Sequence, residues 1–212
     1  MLPESHRYPV MCITQDGLRL SHEDQAEQFC RAGAKWIQLR MKGATEQAWL
    51  DTAREVVAVC RNFGAVCIIN DSVEVAIASR SDGVHLGRGD EDWCSARQRL
   101  GNLLLGGTVN NEADATRVLA ENCLDYVGVG PWRYTPTKKN LSPVLGESGV
   151  RLLISMLDGL PAWVIGGIEP ADVPVVRSIG ATGIAVASGL VRGNRLDANF
   201  KAYAAAWSAE IL

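Results

Sequence analysis

Eight short apolar runs, "YPVMCITQ", "KWIQLRM", "AVCIIND", "DGVHLG", "LLLGGTV", "LDYVGVGP", "AWVIGG" and "TGIAVAS", alternate along the chain with stretches of helical periodicity. This alternation constrains the fold more than any other feature, because it reads as eight strands, each followed by a covering helix. In "EQAWLDTAREVVAVCRNFG", Trp49, Val56, Cys60 and Phe63 recur at helical spacing and Gly64 supplies the stop; "ESGVRLLISMLDG" ends before Pro161 in the same way. Helix starts are marked by Ser21 with Asp24 three residues on, a capping-box pattern, and by Glu169-Pro170. Spread over eight units, 212 residues come to about 26 each, which fits a compact (β/α)8 TIM barrel over residues 1–212 as a single domain. An open doubly wound sheet is the structural alternative, but it usually needs only five or six such units.

With 47% hydrophobic and 21% charged residues, the chain carries enough apolar material for one sizeable core. A formal net charge of −3 offers no broad basic field for nucleic acid, so an anion has to be held by local groups. "MLPESHRYPV" has no apolar core behind a basic head, and no run long enough to span a membrane occurs, so a cytoplasmic location is expected. Cys12, Cys30, Cys60, Cys67, Cys94 and Cys123 are dispersed without a C-x-x-C pair, which argues for reduced, mostly buried thiols rather than a zinc site or a disulfide framework.

Strand parity then points to function. In "IQLRMK", Ile37, Leu39 and Met41 share one face, and Gln38, Arg40 and Lys42 the other. If the apolar set covers helices, a glutamine and two cations point inward, an arrangement that makes sense where an anion binds. An edge strand with its polar face in water is the plainer alternative.

In a parallel barrel the reactive groups collect at the carboxyl ends of the strands. Those ends carry Arg40 and Lys42, then Asn70-Asp71, Asp90, and Thr108 with Asn110. The sixth run passes Gly128 and Gly130 into "TPTKKN", where Thr135, Thr137 and Lys138 offer hydroxyl and ammonium donors for phosphate oxygens. The last two runs end in "VIGGIEP" and "VASGLV", so Gly166, Gly167 and Ser188 fall in the loops that commonly hold a phosphate in such barrels. Asp71 and Asp90 could each merely cap the following helix. Brought together at adjacent strand ends, they form a carboxylate pair of the kind that Mg²⁺ takes. His85, in mid-strand, is read as a packed, hydrogen-bonded histidine rather than a general base, and Trp132 as core or rim packing.

The ordered set "QLRMK", "IIND", "DGVHLGRGD", "DYVGVGP", "TPTKK", "VIGGI" and "GIAVAS" resembles the thiamine phosphate synthases over residues 8–190. The resemblance implies a transferase that condenses hydroxymethylpyrimidine diphosphate with thiazole phosphate, giving thiamine phosphate and pyrophosphate. It implies that Gln38, Arg40, Lys42 and Asn70 contact the diphosphate, that Asp71 and Asp90 ligate Mg²⁺, and that Lys138 completes the clamp on the leaving group. Arg40, Lys42 and Lys138 are thereby the catalytic candidates. Thr135, Thr137, Gly167 and Ser188 would hold the thiazole phosphate, and Thr108 would stand in for the family's usual serine. The implied partners are small phosphorylated substrates, with neither nucleic acid nor membrane involved, and a homo-oligomer is compatible with the sequence. The chain departs from the family pattern at Met41, at "GGTVNN" in place of G-x-S-x-H, and at Trp132, Arg133 and Tyr134. A related thiazole tautomerase, which uses a histidine at the position of Asn110, and a non-catalytic phosphate-ligand sensor are the competing functions.

Overall fold

The computed structural model describes residues 8–134 and 142–209. The eight apolar runs form β1 (Val10–Ile13), β2 (Trp36–Leu39), β3 (Val66–Asn70), β4 (Gly83–Leu86), β5 (Leu104–Val109), β6 (Tyr126–Val129), β7 (Ala162–Ile165) and β8 (Gly183–Val186). All neighbours pair in parallel, and β8 returns to pair with β1, with Val10 opposite Ile184, so the sheet closes into a barrel. Closure removes the edge-strand alternative for "IQLRMK".

The outer ring consists of α1 (His22–Arg31), α2 (Glu46–Asn62), α3 (Val73–Ser79), α4 (Trp93–Leu100), α5 (Glu112–Glu121), α6 (Gly146–Met156), α7 (Val173–Ser178), α8 (Ser188–Val191) and α9 (Leu196–Ser208). Ser21 caps α1 through a capping box with Asp24, as the spacing predicts. Glu169-Pro170 opens a single 3₁₀ turn that runs into α7. The four-residue α8 was not foreseen as a separate element, since so short a segment has no periodicity to read.

Parity separates two cores. Ile37, Leu39, Cys67 and Ile69 face the helices, whereas Met11, Trp36, Ile68, Leu104, Tyr126 and Trp163 fill the barrel interior. The rings of Trp36, Tyr126 and Trp163 meet at centroid distances of 5.0–5.5 Å and plug the amino-terminal end of the barrel. Glycines make room for them. A methyl group on Gly106 would overlap the Tyr126 ring, and one on Gly183 the Trp163 ring.

The cysteines require one correction. Cys12, Cys30, Cys60 and Cys67 are free and buried, but Cys94 and Cys123 form a disulfide across a Cα–Cα distance of 5.6 Å. Their separation of 29 residues carries no local signal; the parallel pairing of β4, β5 and β6 sets consecutive units side by side and brings the start of α4 beside the end of α5. Burial pushes the Cys12 thiol up, away from the reactive thiolate form. Among the described residues, no helix is long and apolar enough to cross a membrane.

Candidate active site

Above the aromatic plug, the carboxyl ends of the strands surround a cavity of about 640 Å³. Its floor is apolar, with Met11, Tyr126 and Trp163, and small residues on the later strands (Gly128, Gly130, Ala185) leave it open on that side. Polar groups ring the wall.

On β2, Gln38 is buried and faces inward, its Nε2 3.5 Å from Met11 Sδ, while Arg40 and Lys42 follow beyond the strand end on the same side. Met41 packs against the helix-facing core, as parity predicts. Asn70 ends β3, and Asp71 next to it adopts a left-handed backbone with φ of 70° while its N–H donates to His85 O at 2.9 Å. Non-glycine residues reach that region rarely, and aspartate is among the few that tolerate it. Lys42 Nζ pairs with Asp71 Oδ2.

Neither acid is spent on capping. Ser72 caps α3 by accepting from Val75 N–H at 3.2 Å, and Asp92 caps α4 by accepting from Ser95 N–H at 3.0 Å. Asp90 instead folds back, its Oδ2 accepting from Gly87 N–H at 2.6 Å. Burial raises the Asp90 carboxyl above its ordinary range, the Gly87 N–H partly offsets this, and the neighbouring Asp71 raises it again. Asp71 and Asp90 follow the adjacent strands β3 and β4, and the Asp71 carboxyl is near enough to bear on that of Asp90.

His85 Nε2 lies 3.0 Å from Thr108 Oγ1, and its ring packs on Tyr126 at 5.6 Å, which agrees with a packed, hydrogen-bonded histidine. Asn110 Nδ2 donates to Gly130 O at 2.5 Å and Asn110 Oδ1 accepts from Ser142 Oγ at 3.1 Å, so this side chain braces both ends of the β6–α6 connection. Thr135, Thr137 and Lys138 lie outside the described residues. Trp132 is buried as rim packing.

Opposite the acids, Gly166 and Gly167 turn with φ of 100° and 68°, and Ser188 opens α8. Gly167, Ser188 and Gly189 all line the cavity. A short helix after β8 beside a glycine turn after β7 is the phosphate-holding arrangement of such barrels. Arg133 ties this turn down, donating to Asp172 at 2.7 and 2.6 Å and to Gly167 O at 3.0 Å.

The cavity thus brings together Gln38, Arg40, Lys42, Asn70, Asp71, Thr108, Gly167 and Ser188, with Asp90 immediately behind through Gly87. Sequence reasoning missed Asp16, which lines the wall just past β1. It carries the same signal as the other strand ends, an acid within a few residues of the end of an apolar run. Arg133, Asn110 and Ser142 were missed as braces because their partners are distant in sequence.

Fold and rim together define a (β/α)8 barrel with a cavity suited to phosphorylated ligands. A family model described as thiamine monophosphate synthase matches residues 8–190. The thiamine-phosphate synthase of Bacteroides thetaiotaomicron is 38% identical over 185 residues, covering 85% of this chain and 88% of that protein. That of Flavobacterium psychrophilum is 40% identical over 164 residues, covering 75% and 79%. Among solved structures, thiamine phosphate pyrophosphorylase from Pyrococcus furiosus superposes with a TM-score of 0.87 over 97% of this chain and 98% of that one, at 24% identity. The chain belongs to the thiamine monophosphate synthase family, and the activity of that family is a transferase reaction.

Proposed function

We propose that this cavity joins hydroxymethylpyrimidine diphosphate to thiazole phosphate, releasing pyrophosphate and leaving thiamine phosphate. One observation carries the assignment of the site. Arg40, Lys42, Asp71 and Asp90 gather on the β2–β4 side, Gly166, Gly167 and Ser188 on the β7–β8 side, and an apolar floor wide enough for aromatic rings lies between them.

The reaction breaks the carbon–oxygen bond to the diphosphate and forms a carbon–nitrogen bond to the thiazole. Departure of pyrophosphate leaves an electron-rich pyrimidine cation, so the residues mainly neutralise leaving charge and hold the thiazole nitrogen in line. Arg40 and Lys42 meet the diphosphate, with Gln38 and Asn70 below them. Thr108, fixed by His85, lies near the pyrimidine. Gly167 and Ser188 hold the thiazole phosphate at the opposite wall. Thr135 and Thr137 on that phosphate, and Lys138 on the leaving group, are assigned by family resemblance.

Asp71 and Asp90 would hold Mg²⁺. The fit rests on the pair itself: two adjacent carboxylates, neither capping a helix, one held with its proton affinity raised by burial and by the other. A bound Mg²⁺ supplies positive charge to the diphosphate oxygens. Under the same reading, the enzyme works in the cytoplasm on small phosphorylated molecules.

The test supplies both phosphorylated substrates with Mg²⁺ and follows thiamine phosphate. Asp71→Ala is expected to cut turnover at least about tenfold while the fold is retained. Thiazole isomerisation without condensation would select the tautomerase instead; Asn110, at that enzyme's histidine position, has its amide engaged by Gly130 and Ser142.

A further inference from the structure

The exit of β1 is gripped by α1 and in turn grips the exit of β2. Thr14, fully buried, donates its N–H to Gln38 O at 3.0 Å, the last backbone bond between these strands in this direction. Beyond it, side chains take over. Thr14 Oγ1 accepts from Arg40 N–H at 3.2 Å, and Asp16 Oδ2 accepts from Lys42 N–H at 3.0 Å. Alternate backbone donors of the segment after β2 are thus captured by alternate side chains of the segment after β1.

His22, the first residue of α1, joins the two acceptors. Its Nδ1 lies 2.8 Å from Thr14 Oγ1 and its Nε2 3.1 Å from Asp16 Oδ1. One assignment satisfies every group: the threonine hydroxyl donates to Nδ1 while accepting from Arg40, and Nε2–H donates to the aspartate. One turn along α1, the buried Gln25 holds the residue between them. Its Oε1 accepts from Gln15 N–H and its Nε2 donates to Gln15 O, both at 2.9 Å. The segment is therefore fixed from α1 at three consecutive residues.

We propose that Thr14, His22 and Asp16 form a positioning triad that sets where the Arg40 and Lys42 side chains project into the cavity. The triad would thereby govern affinity for a diphosphate without affecting the phosphate held at the opposite wall. Thr14 is fully buried, so it acts only through Arg40 and His22. The inference rests on the reading that Arg40 and Lys42 meet a diphosphate.

The experiment titrates the full-length protein with inorganic pyrophosphate in the presence of Mg²⁺ by calorimetry, and measures KM for each substrate. Thr14→Val keeps the shape and removes the hydroxyl; Thr14→Ser restores it. Asp16→Ala removes both acceptors at a partly exposed position where folding is not at stake. Asp16→Asn keeps an acceptor for Lys42 N–H and, with the imidazole tautomer reversed, a partner for His22. Thr14→Val and Asp16→Ala are expected to weaken pyrophosphate binding and raise KM for the pyrimidine diphosphate by about tenfold, the scale for misplaced binding groups. KM for thiazole phosphate should stay unchanged, and Ser and Asn should restore binding.

Wild-type affinity in both Thr14→Val and Asp16→Ala would overturn the proposal. So would equal loss for both substrates, which marks general softening, or an Asp16→Asn variant as weak as Asp16→Ala, which makes the charge rather than the hydrogen bond decisive. Failure of the underlying reading is distinguishable, because it shows in the wild-type titration before any variant is made.

Discussion

Replacing Arg133 by methionine keeps most of the aliphatic stem and removes the guanidinium that joins the β6 and β7 loops. The lost contacts are the two parallel bonds to the Asp172 carboxylate, at 2.7 and 2.6 Å, and the one to Gly167 O at 3.0 Å. An exposed ion pair contributes about 0.2–1 kcal/mol, but this pair is bidentate and its carboxylate side chain is only 13% exposed, which lifts the coupling to about 1–2 kcal/mol. Asp172 keeps the Glu169 N–H at 2.8 Å, so the single variant does not strand a bare carboxylate. For a chain of this length, the loss corresponds to a Tm lower by about 2–8 °C.

The assay is a double-mutant cycle with Asp172→Asn, read by urea melts at pH 7 and pH 5. Burial raises the Asp172 carboxyl, but Arg133 and the Glu169 N–H outweigh it and hold the group below its ordinary range. A depressed acid stabilises fully above its unfolded value of about 3.9 and loses that contribution only as pH falls through the lower folded value. The coupling should therefore be the same at both pH values. A coupling below about 0.3 kcal/mol, or one that fades between pH 7 and pH 5, would refute the reasoning. With the bridge gone, the Gly167 turn is less restrained, and KM for thiazole phosphate should rise while that for the pyrimidine diphosphate holds.

Asp90→Asn should leave the metal-free protein at least as stable at pH 7, because a raised carboxyl costs stability as pH climbs through its folded value; melts with and without Mg²⁺ check this, and a lower melt for the metal-free variant counts against it. The same substitution should weaken Mg²⁺-dependent pyrophosphate binding at least about tenfold. Reducing the Cys94–Cys123 bridge, which spans 29 residues, should cost about 3–4 kcal/mol in urea melts, with the Cys94→Ser/Cys123→Ser double variant matching reduced wild type. Gly106→Ala should cost about 1–3 kcal/mol by crowding the Tyr126 ring, and thermal melting at an unchanged melting point would show that the ring moves freely.

Most of the site was legible because two periodicities coincide with barrel geometry. Alternation in "IQLRMK" put Gln38, Arg40 and Lys42 on one face, and closure turned that face inward. Asp71 and Asp90 were paired by the adjacency of the strand ends alone. Whether each acid capped its helix could not be read from sequence, since Ser72 and Asp92 offer equally good caps one or two residues away. Most of what escaped depends on neighbours in the ring rather than along the chain. Cys94 meets Cys123 and Arg133 meets Asp172 only once neighbouring βα units pack side by side, whereas His22 reaches Thr14 and Asp16 within one unit, where the turn between strand and helix decides the contact and leaves no periodic signal. The left-handed backbone at Asp71 is likewise invisible in composition, since many aspartates sit at ordinary dihedrals.

The stack of Trp36, Tyr126 and Trp163 turns the barrel into a cup rather than a tube. Among the described residues the cavity opens at the carboxyl-end rim, above the aromatic base. Whatever enters there meets a blind end, so the aromatic rings that close the barrel at its foot also set how deep a guest can sink, well away from any group that touches the bonds being made and broken.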